Sequence, residues 1–230
     1  MNGIGEATSM KVSHVRASNF FGGPEKQIVH HLRLLQESGS DPLLFSFQEA
    51  GRETELIVRA RGLGLRCVSI PCAHAYDPRQ VFRLRKLLTE EGADIVCSHD
   101  YRSNVLTRLA VRGEGISRVA FWRGVTRENL KVAFFHQMER GLLRTASHIV
   151  VVSQEQHDAL ISGGLSGEKV SVVPNAVSVG AVSQEIPTFF EQFSGKTVVA
   201  TAGRLSPEKG HNYLIRAFSR VLEDRSDLVL

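Results

Sequence analysis

Long hydrophobic runs are missing from this 230-residue chain: no apolar stretch approaches the roughly 20 residues that a helix needs to cross a bilayer. Residues 1–9 carry no apolar core of a leader, so no signal peptide is read there, and the segment is expected to be disordered. Cysteine is scarce. Cys67, Cys72 and Cys97 form no Cys-x-x-Cys pair and lie in or beside apolar runs, which argues against a metal centre or a catalytic thiol and for buried, reduced side chains. Net charge is small as well: +4 is compatible with an anionic substrate or an acidic membrane surface, and too little to argue for nucleic acid. Several motifs are absent too. There is no Gly-x-Gly-x-x-Gly, and no acidic residue ends the second apolar run where a ribose would be held, which counts against a dinucleotide-dependent dehydrogenase. Gly163-Gly164-Leu165-Ser166-Gly167-Glu168-Lys169 looks superficially like a P-loop, but the Gly-Lys-Ser/Thr core is missing and a strand follows, so it reads as a surface loop. The chain is expected to be a soluble cytoplasmic protein.

Strand-length apolar runs alternate with helical periodicity along most of the chain. Lys11–Val15, Pro42–Phe47, Arg66–Pro71, Asp94–Ser98, Arg118–Trp122, His148–Val152 and Val170–Pro174 read as strands. Between them, helices are predicted from about Glu25 to Gly39, then over Glu53–Leu63, Pro78–Glu91, Ser103–Arg112, Arg127–Thr145 and Ser153 to about Ser162. Continuous rather than alternating apolar strands imply a sheet covered on both faces. The expected fold is α/β, a Rossmann-like doubly wound parallel sheet over residues 10–176. From 177 to 195 the pattern lapses into a linker containing Gly180, Pro187 and Gly195, with Phe189, Phe190 and Phe193 as a short docking helix. Alternation restarts over 196–230: a buried strand at Thr197–Ala200, a helix capped by Ser206 with Pro207 at its first position, and a second strand opening at Asp227–Leu230. One strand-helix-strand unit has little core, so this reads as the truncated start of a second, incomplete Rossmann-like domain.

Doubly wound sheets bind ligands beyond the carboxyl ends of their strands, which directs attention to particular loops. Gly22-Gly23-Pro24-Glu25 separates the first strand from the first helix; it is either a tight turn or a place where backbone approaches an anion at a helix N-terminus. His99-Asp100 follows the fourth strand, either as a solvated loop or as a donor to a sugar hydroxyl or phosphate and a proton shuttle. Arg123-Gly124 follows the fifth, where a guanidinium beside a glycine turn suits phosphate recognition or is simply exposed. Ser153 is most simply an N-cap that can also hold an anion, while His30, His31 and His136 read as surface or packing residues. Arg79, Arg83 and Lys86 form a basic helix face, normally solvated, with peripheral contact on anionic lipid as the other reading. Near the end, Arg204 leaves a strand and Lys209 stands in the first turn of the next helix, so two cations converge on unpaired N–H groups, a grip for a diphosphate.

Gly203-Arg204-Leu205-Ser206-Pro207-Glu208-Lys209-Gly210, with Leu214 and Ala217-Phe218 behind it, resembles the opening of the C-terminal domain of family 4 glycosyltransferases, retaining enzymes of the two-domain GT-B fold. Gly22-Gly23-Pro24-Glu25 is similar to that family's glycine turn, Ala93–Asp100 to its fourth strand and loop, Ala146–Ser153 to its sixth strand, and Val172-Val173-Pro174-Asn175 to its crossover. The resemblance implies an acceptor-side first domain, with Arg204 and Lys209 clasping the diphosphate of a nucleotide-sugar donor and Gly22 and Gly23 facing it. His99, Asp100 and Arg123 would be the catalytic group, with Gly124, Ser153 and Asn175 at the same edge. The implied reaction is transfer to a cell-surface glycan or lipid-linked acceptor. No cofactor is called for, and the absence of Asp-x-Asp agrees with metal independence. Departures are visible: many relatives carry His-Gly where this chain has Arg123-Gly124, Pro-Asn-Gly is Pro174-Asn175-Ala176, and the family's late acidic pair would fall beyond Leu230. Two alternatives stay open, an inactive truncated remnant or binding module and a nucleotide-sugar epimerase of the same architecture. The expected location is the cytoplasm, with peripheral contact at the inner face of the membrane as the reading that the basic face of Arg79, Arg83 and Lys86 allows.

Overall fold

The computed structural model describes residues 10–17, 21–123, 141–177, 188–203, 205 and 207–230. The expected disorder at 1–9, most of the linker, most of the helix over 127–145 with His136, and the Ser206 cap lie outside the described residues. The chain divides into two compact units, Met1–Val177 and Ser178–Leu230.

In the first unit the strands are β1 (Val12–Val15), β2 (Leu43–Phe47), β3 (Cys67–Ile70), β4 (Ile95–Ser98), β5 (Ser117–Trp122), β6 (His148–Val151) and β7 (Val170–Val172). They form one parallel sheet in the order β3-β2-β1-β4-β5-β6-β7. Among the connections are helices α1 (Gly23–Glu37), α2 (Glu55–Gly62), α3 (Arg79–Glu90), α4 (Tyr101–Ala110) and α5 (Gln154–Ser162). This is the Rossmann-like doubly wound sheet that the alternation predicts.

The register sorts side chains between the two faces of the sheet. Phe45, Phe47 and Val96 pack with Leu84 and Leu88 of α3 and Leu106 of α4. On the same face, further along the sheet, Trp122 and Ile149 pack with Leu160 of α5. On the opposite face Leu44 meets Ile28, Val29 and Leu32 of α1 and Leu56, Ile57 and Ala60 of α2. All five residues of β2 are buried, as in a strand covered on both sides. Burying each large aliphatic side chain is favourable by about 1.5–3 kcal/mol. From β1 the chain first builds outward to β3, then resumes at β4 on the other side of β1. The helices that follow β1 and β4 therefore pack on opposite faces of the sheet, α1 on one and α4 on the other, the switch point beyond whose strand ends such sheets bind ligands.

The helix expected from Ser103 begins at Tyr101, because Asp100 serves as its N-cap. The basic face of α3 is charge-matched rather than free: Arg79 pairs with Asp77 at 2.9 Å, Lys86 with Glu90 at 3.7 Å, and Arg83 donates to the carbonyl of Pro71. Among the described residues no helix is long and apolar enough to cross a membrane. All three cysteines are free thiols; Cys97 is buried, which pushes its thiol up to about 12, while Cys67 and Cys72 are only half-buried.

The second unit contains β8 (Thr197–Val198) and β9 (Leu228–Val229), paired in parallel, with α6 (His211–Asp224) between them. Two expectations are corrected here. The first strand is two exposed residues rather than a buried four-residue run. The α-helix begins at His211 rather than Pro207, because Gly210 takes φ +66° and separates it from a 3-10 turn over Pro207–Lys209. Only glycine adopts that backbone at little cost, so Lys209 ends on the turn, ahead of the helix. Thr188–Phe193 is likewise a 3-10 segment, on which Phe189 and Phe190 are exposed.

Candidate functional site

Parallel register lines up a row of residues along the carboxyl edge of the sheet. Val15 pairs with Ser98, Ser98 with Ala120, and Trp122 with Val151. Arg16 and His99 therefore leave neighbouring strands side by side, Arg123 leaves the next, and Ser153 and Asn175 follow β6 and β7.

Arg16 ties this edge together. Its Nε and Nη2 each lie 2.8 Å from Oε1 of Glu25, and Nη1 donates to the His99 carbonyl at 2.6 Å while lying 3.4 Å from Asp100 Oδ2. Glu25 is 1% exposed, and its Oε2 accepts the backbone N–H of Gly22 at 2.8 Å. A buried carboxylate is tolerable when a guanidinium and a backbone donor both satisfy it. Glu25 stands at the third helical position, where an acidic side chain can reach back to the N-cap N–H. It clamps the Gly22-Gly23 turn onto the loop after β4.

Neither glycine is required by backbone shape. Gly22 is extended at φ −128°, and a Cβ on Gly23 would meet nothing within 4 Å. What Gly23 provides is open space at a helix N-terminus, where an anion is favoured.

Asp100 spends its carboxylate on neighbouring loops. Oδ1 accepts from the N–H of Ser103 at 2.8 Å, as the cap of α4, and Oδ2 accepts from the N–H of Ala17 at 2.8 Å. Arg123 is half-buried; Nη1 donates to Asn175 Oδ1 at 3.2 Å, and Nε has no partner. Burial first, and then Arg16, lower its pKa against the opposing pull of Glu25.

His99 is 3% exposed and is bonded to the fully buried His14, with His99 Nε2 and His14 Nδ1 2.8 Å apart. Phe121 stacks on His99 at 4.4 Å, and His31 meets His14 edge-on at 4.9 Å. His31 is thus not the helix-surface residue its position predicts; α1 turns it inward against β1. Burial, followed by His31, lowers the pKa of His14 to about 3. His99 is held well below the ordinary histidine range by burial and then by His14, Arg123, Arg16 and His31. Both rings are neutral at neutral pH. One must donate to the other, and the outer nitrogens, His14 Nε2 and His99 Nδ1, are buried with no partner. Beside them a cleft of about 330 Å³ is lined by His31 and Leu34 of α1, His99, Phe121, Arg123 and Asn175.

Of the residues singled out from sequence, Gly22, Gly23, His99, Asp100, Arg123 and Asn175 come together on this edge. Ser153 lies on it as the N-cap of α5, accepting from the N–H of Gln156 at 3.3 Å. Gly124 and Arg204 lie outside the described residues. Lys209 is exposed in the second unit, where a Cβ on Gly203 would stand 3.6 Å from its Cγ, so the lysine stem packs closely over that glycine. His14, Arg16, His31 and Phe121 were not found from sequence. The Gly22-to-Glu25 spacing was a signal for the clamp, whereas a histidine and an arginine at a strand end carry none.

A family model described as Glycosyltransferase Family 4 matches residues 21–180. An Escherichia coli protein, UDP-Gal:alpha-D-GlcNAc-diphosphoundecaprenol alpha-1,3-galactosyltransferase, is 24% identical over 233 residues, covering 94% of this chain and 59% of that protein. Anabaena Alr3699/HepE, solved in complex with UDP and glucose, superposes with a TM-score of 0.75 at 18% identity, over 92% of this chain and 58% of its own. The UDP-GlcNAc 2-epimerase from Neisseria meningitidis, bound to UDP-GlcNAc, gives a TM-score of 0.55 at 16% identity, over 72% of this chain and 47% of its own. The chain spans a little under three-fifths of the Escherichia coli and Anabaena proteins.

Proposed function

The chain belongs to glycosyltransferase family 4, and from that premise we propose that it moves a sugar from a nucleotide-sugar donor to a glycan or lipid-linked acceptor, with retention at the anomeric carbon. The names of the relatives favour a UDP-hexose donor and an acceptor sugar carried on a polyprenyl diphosphate. The observation that carries the reading is the Arg16–Glu25 clamp, which holds the open Gly22-Gly23 turn at the N-terminus of α1 beside His99 and Arg123.

In such a transfer the bond from the anomeric carbon to the diphosphate breaks while a bond to an acceptor hydroxyl oxygen forms. The hydroxyl proton passes to an oxygen of the departing diphosphate. Negative charge grows on the leaving group, and fixed cations and N–H dipoles favour that change. The N-terminus of α1 offers such dipoles in the first unit, and Arg204 and Lys209 are the cations that the family resemblance assigns to the diphosphate. Neutral His99 is a hydrogen-bonding group for a sugar hydroxyl, which accepts from Nδ1 when that nitrogen carries the proton and donates to it when it does not. Arg123 adds positive potential. Asp100, with both oxygens engaged, is a positioning residue rather than an acid or base.

Incubation of the protein expressed from its native gene with a labelled UDP-hexose and a GlcNAc-diphosphoprenol tests the reading. Labelled lipid should appear, with UDP released only when acceptor is present. Lys209→Ala and Arg204→Ala should each raise the donor KM about tenfold, the loss of one charge-assisted contact. Conversion of the UDP-sugar without acceptor would instead point to an epimerase.

A further inference from the structure

We infer that the edge of the first unit opposite the glycine turn holds a second anion site, a pocket for a phosphate group built around Arg118. The pocket measures about 370 Å³ and is lined by Arg108, Arg112, Arg118, Ile116, Thr145 and Ser147. Arg118 sits at the amino-terminal start of β5 and is 3% exposed. Its Nη2 donates to the Leu142 carbonyl at 2.7 Å and to Thr145 Oγ1 at 2.8 Å, whereas Nη1 has no partner. Burial, and then Arg108, lower its pKa only to about 10, so it is charged at neutral pH. A buried charge without a counterion is costly to keep.

Among the described residues no group supplies that counterion, and no carboxylate lines the pocket. Glu114, the nearest acid in sequence, is held 3.5 Å from Arg85. Helix C-termini attract arginines, but the carbonyls here are already served. Arg85 already donates to the carbonyls of Leu109, Ala110 and Arg112 at the end of α4, and one edge of Arg118 serves Leu142. Arg108 and Arg112 are exposed and remain without an ion pair among the described residues. Positive charge is therefore left over around a concave site, and three guanidiniums suit a tetrahedral oxyanion. The volume exceeds that of phosphate alone, and the Ile116 wall suits a small organic body attached to it. β5 is six residues long, so the pocket lies on the order of 15 Å or more from Arg123. It is independent of the proposed glycosyl transfer.

Titration of the 15N-labelled protein with inorganic phosphate provides the test. The amides of residues 108–118 and 145–147 should shift together and saturate in the millimolar range. Arg108→Ala/Arg112→Ala, two exposed changes, should weaken that response at least tenfold and leave the Tm unaltered. Vesicles of phosphatidylglycerol identify the source: co-sedimentation abolished in the double variant assigns a lipid headgroup, and amide shifts without vesicle binding assign a soluble phosphate ester. Absence of shifts at these amides, or shifts that persist in the double variant, overturns the pocket.

Discussion

Glu25 joins two loops through one carboxylate, accepting from Arg16 on one side and from the Gly22 N–H on the other. Glu25→Gln keeps the shape and removes the charge, leaving a guanidinium that is 13% exposed with Asp100, at 3.4 Å, as its remaining carboxylate. Breaking a buried pair in this way costs about 3–5 kcal/mol. Denaturant unfolding should show a midpoint lowered to match, and an unchanged midpoint would mean that the clamp bears no load. Donor KM should rise in the same variant, since the turn is no longer tied to the β4 loop. At this scale the sequence was only half legible. Gly22-Gly23-Pro24-Glu25 was visible as a motif, but the partner Arg16 carries no local mark, and His99 Nε2 finds His14 at a separation of 85 residues. Burial turned a loop histidine, read either as solvated or as a hydroxyl or phosphate donor and proton shuttle, into a neutral hydrogen-bonding group.

Among the elements, α1 and α4 present contrasting N-termini. α4 is closed by Asp100, which caps Ser103 and also holds the Ala17 N–H. Asp100→Ala should destabilise by about 1–2 kcal/mol through the cap alone. Asp100→Asn keeps a capping oxygen and should recover most of that loss in thermal melts, which a catalytic acid would not allow in an activity assay. α1 is open at Gly23, and the consequence is a separation of stability from binding. Because a Cβ there meets nothing within 4 Å, Gly23→Ala should stabilise the protein by about 0.4–1 kcal/mol. It should also weaken UDP binding if backbone approaches the diphosphate at that turn; unchanged UDP affinity would argue that the turn is structural. Element boundaries were legible where apolar periodicity ends in a recognised cap, as at Ser153. They were misplaced where backbone conformation decides, as at Gly210, which delays α6 past Lys209.

For the molecule as a whole, the buried imidazoles make stability depend on pH. Unfolded histidine titrates near 6.5, whereas His14 titrates at about 3 and His99 well below 6.5. Over the interval from about 6.5 down to 3 the unfolded chain binds more protons, so stability falls as pH falls. His14 contributes about 1.4 kcal/mol per pH unit across the fully developed part of that window, His99 acts in the same direction, and neither contributes above pH 7. Urea midpoints should decline between pH 6.5 and 4.5, and His14→Gln should flatten the decline; an equal slope in that variant would remove His14 from the account.

Alternation of strands and helices, the parallel sheet and the family resemblance could all be read from the chain, because apolar periodicity, turn residues and short motifs are local properties. Which strand lies beside which is not local. The order β3-β2-β1-β4-β5-β6-β7 places β1 against β4, and that adjacency brings Arg16 to His99 and Asp100, and His14 to His99. The same long-range packing leaves Arg118 buried without a carboxylate at the opposite edge. Protonation, orientation and pairing of these groups follow from burial and from neighbours more than 80 residues away for His14 and Arg16, quantities that exist only once the sheet has closed.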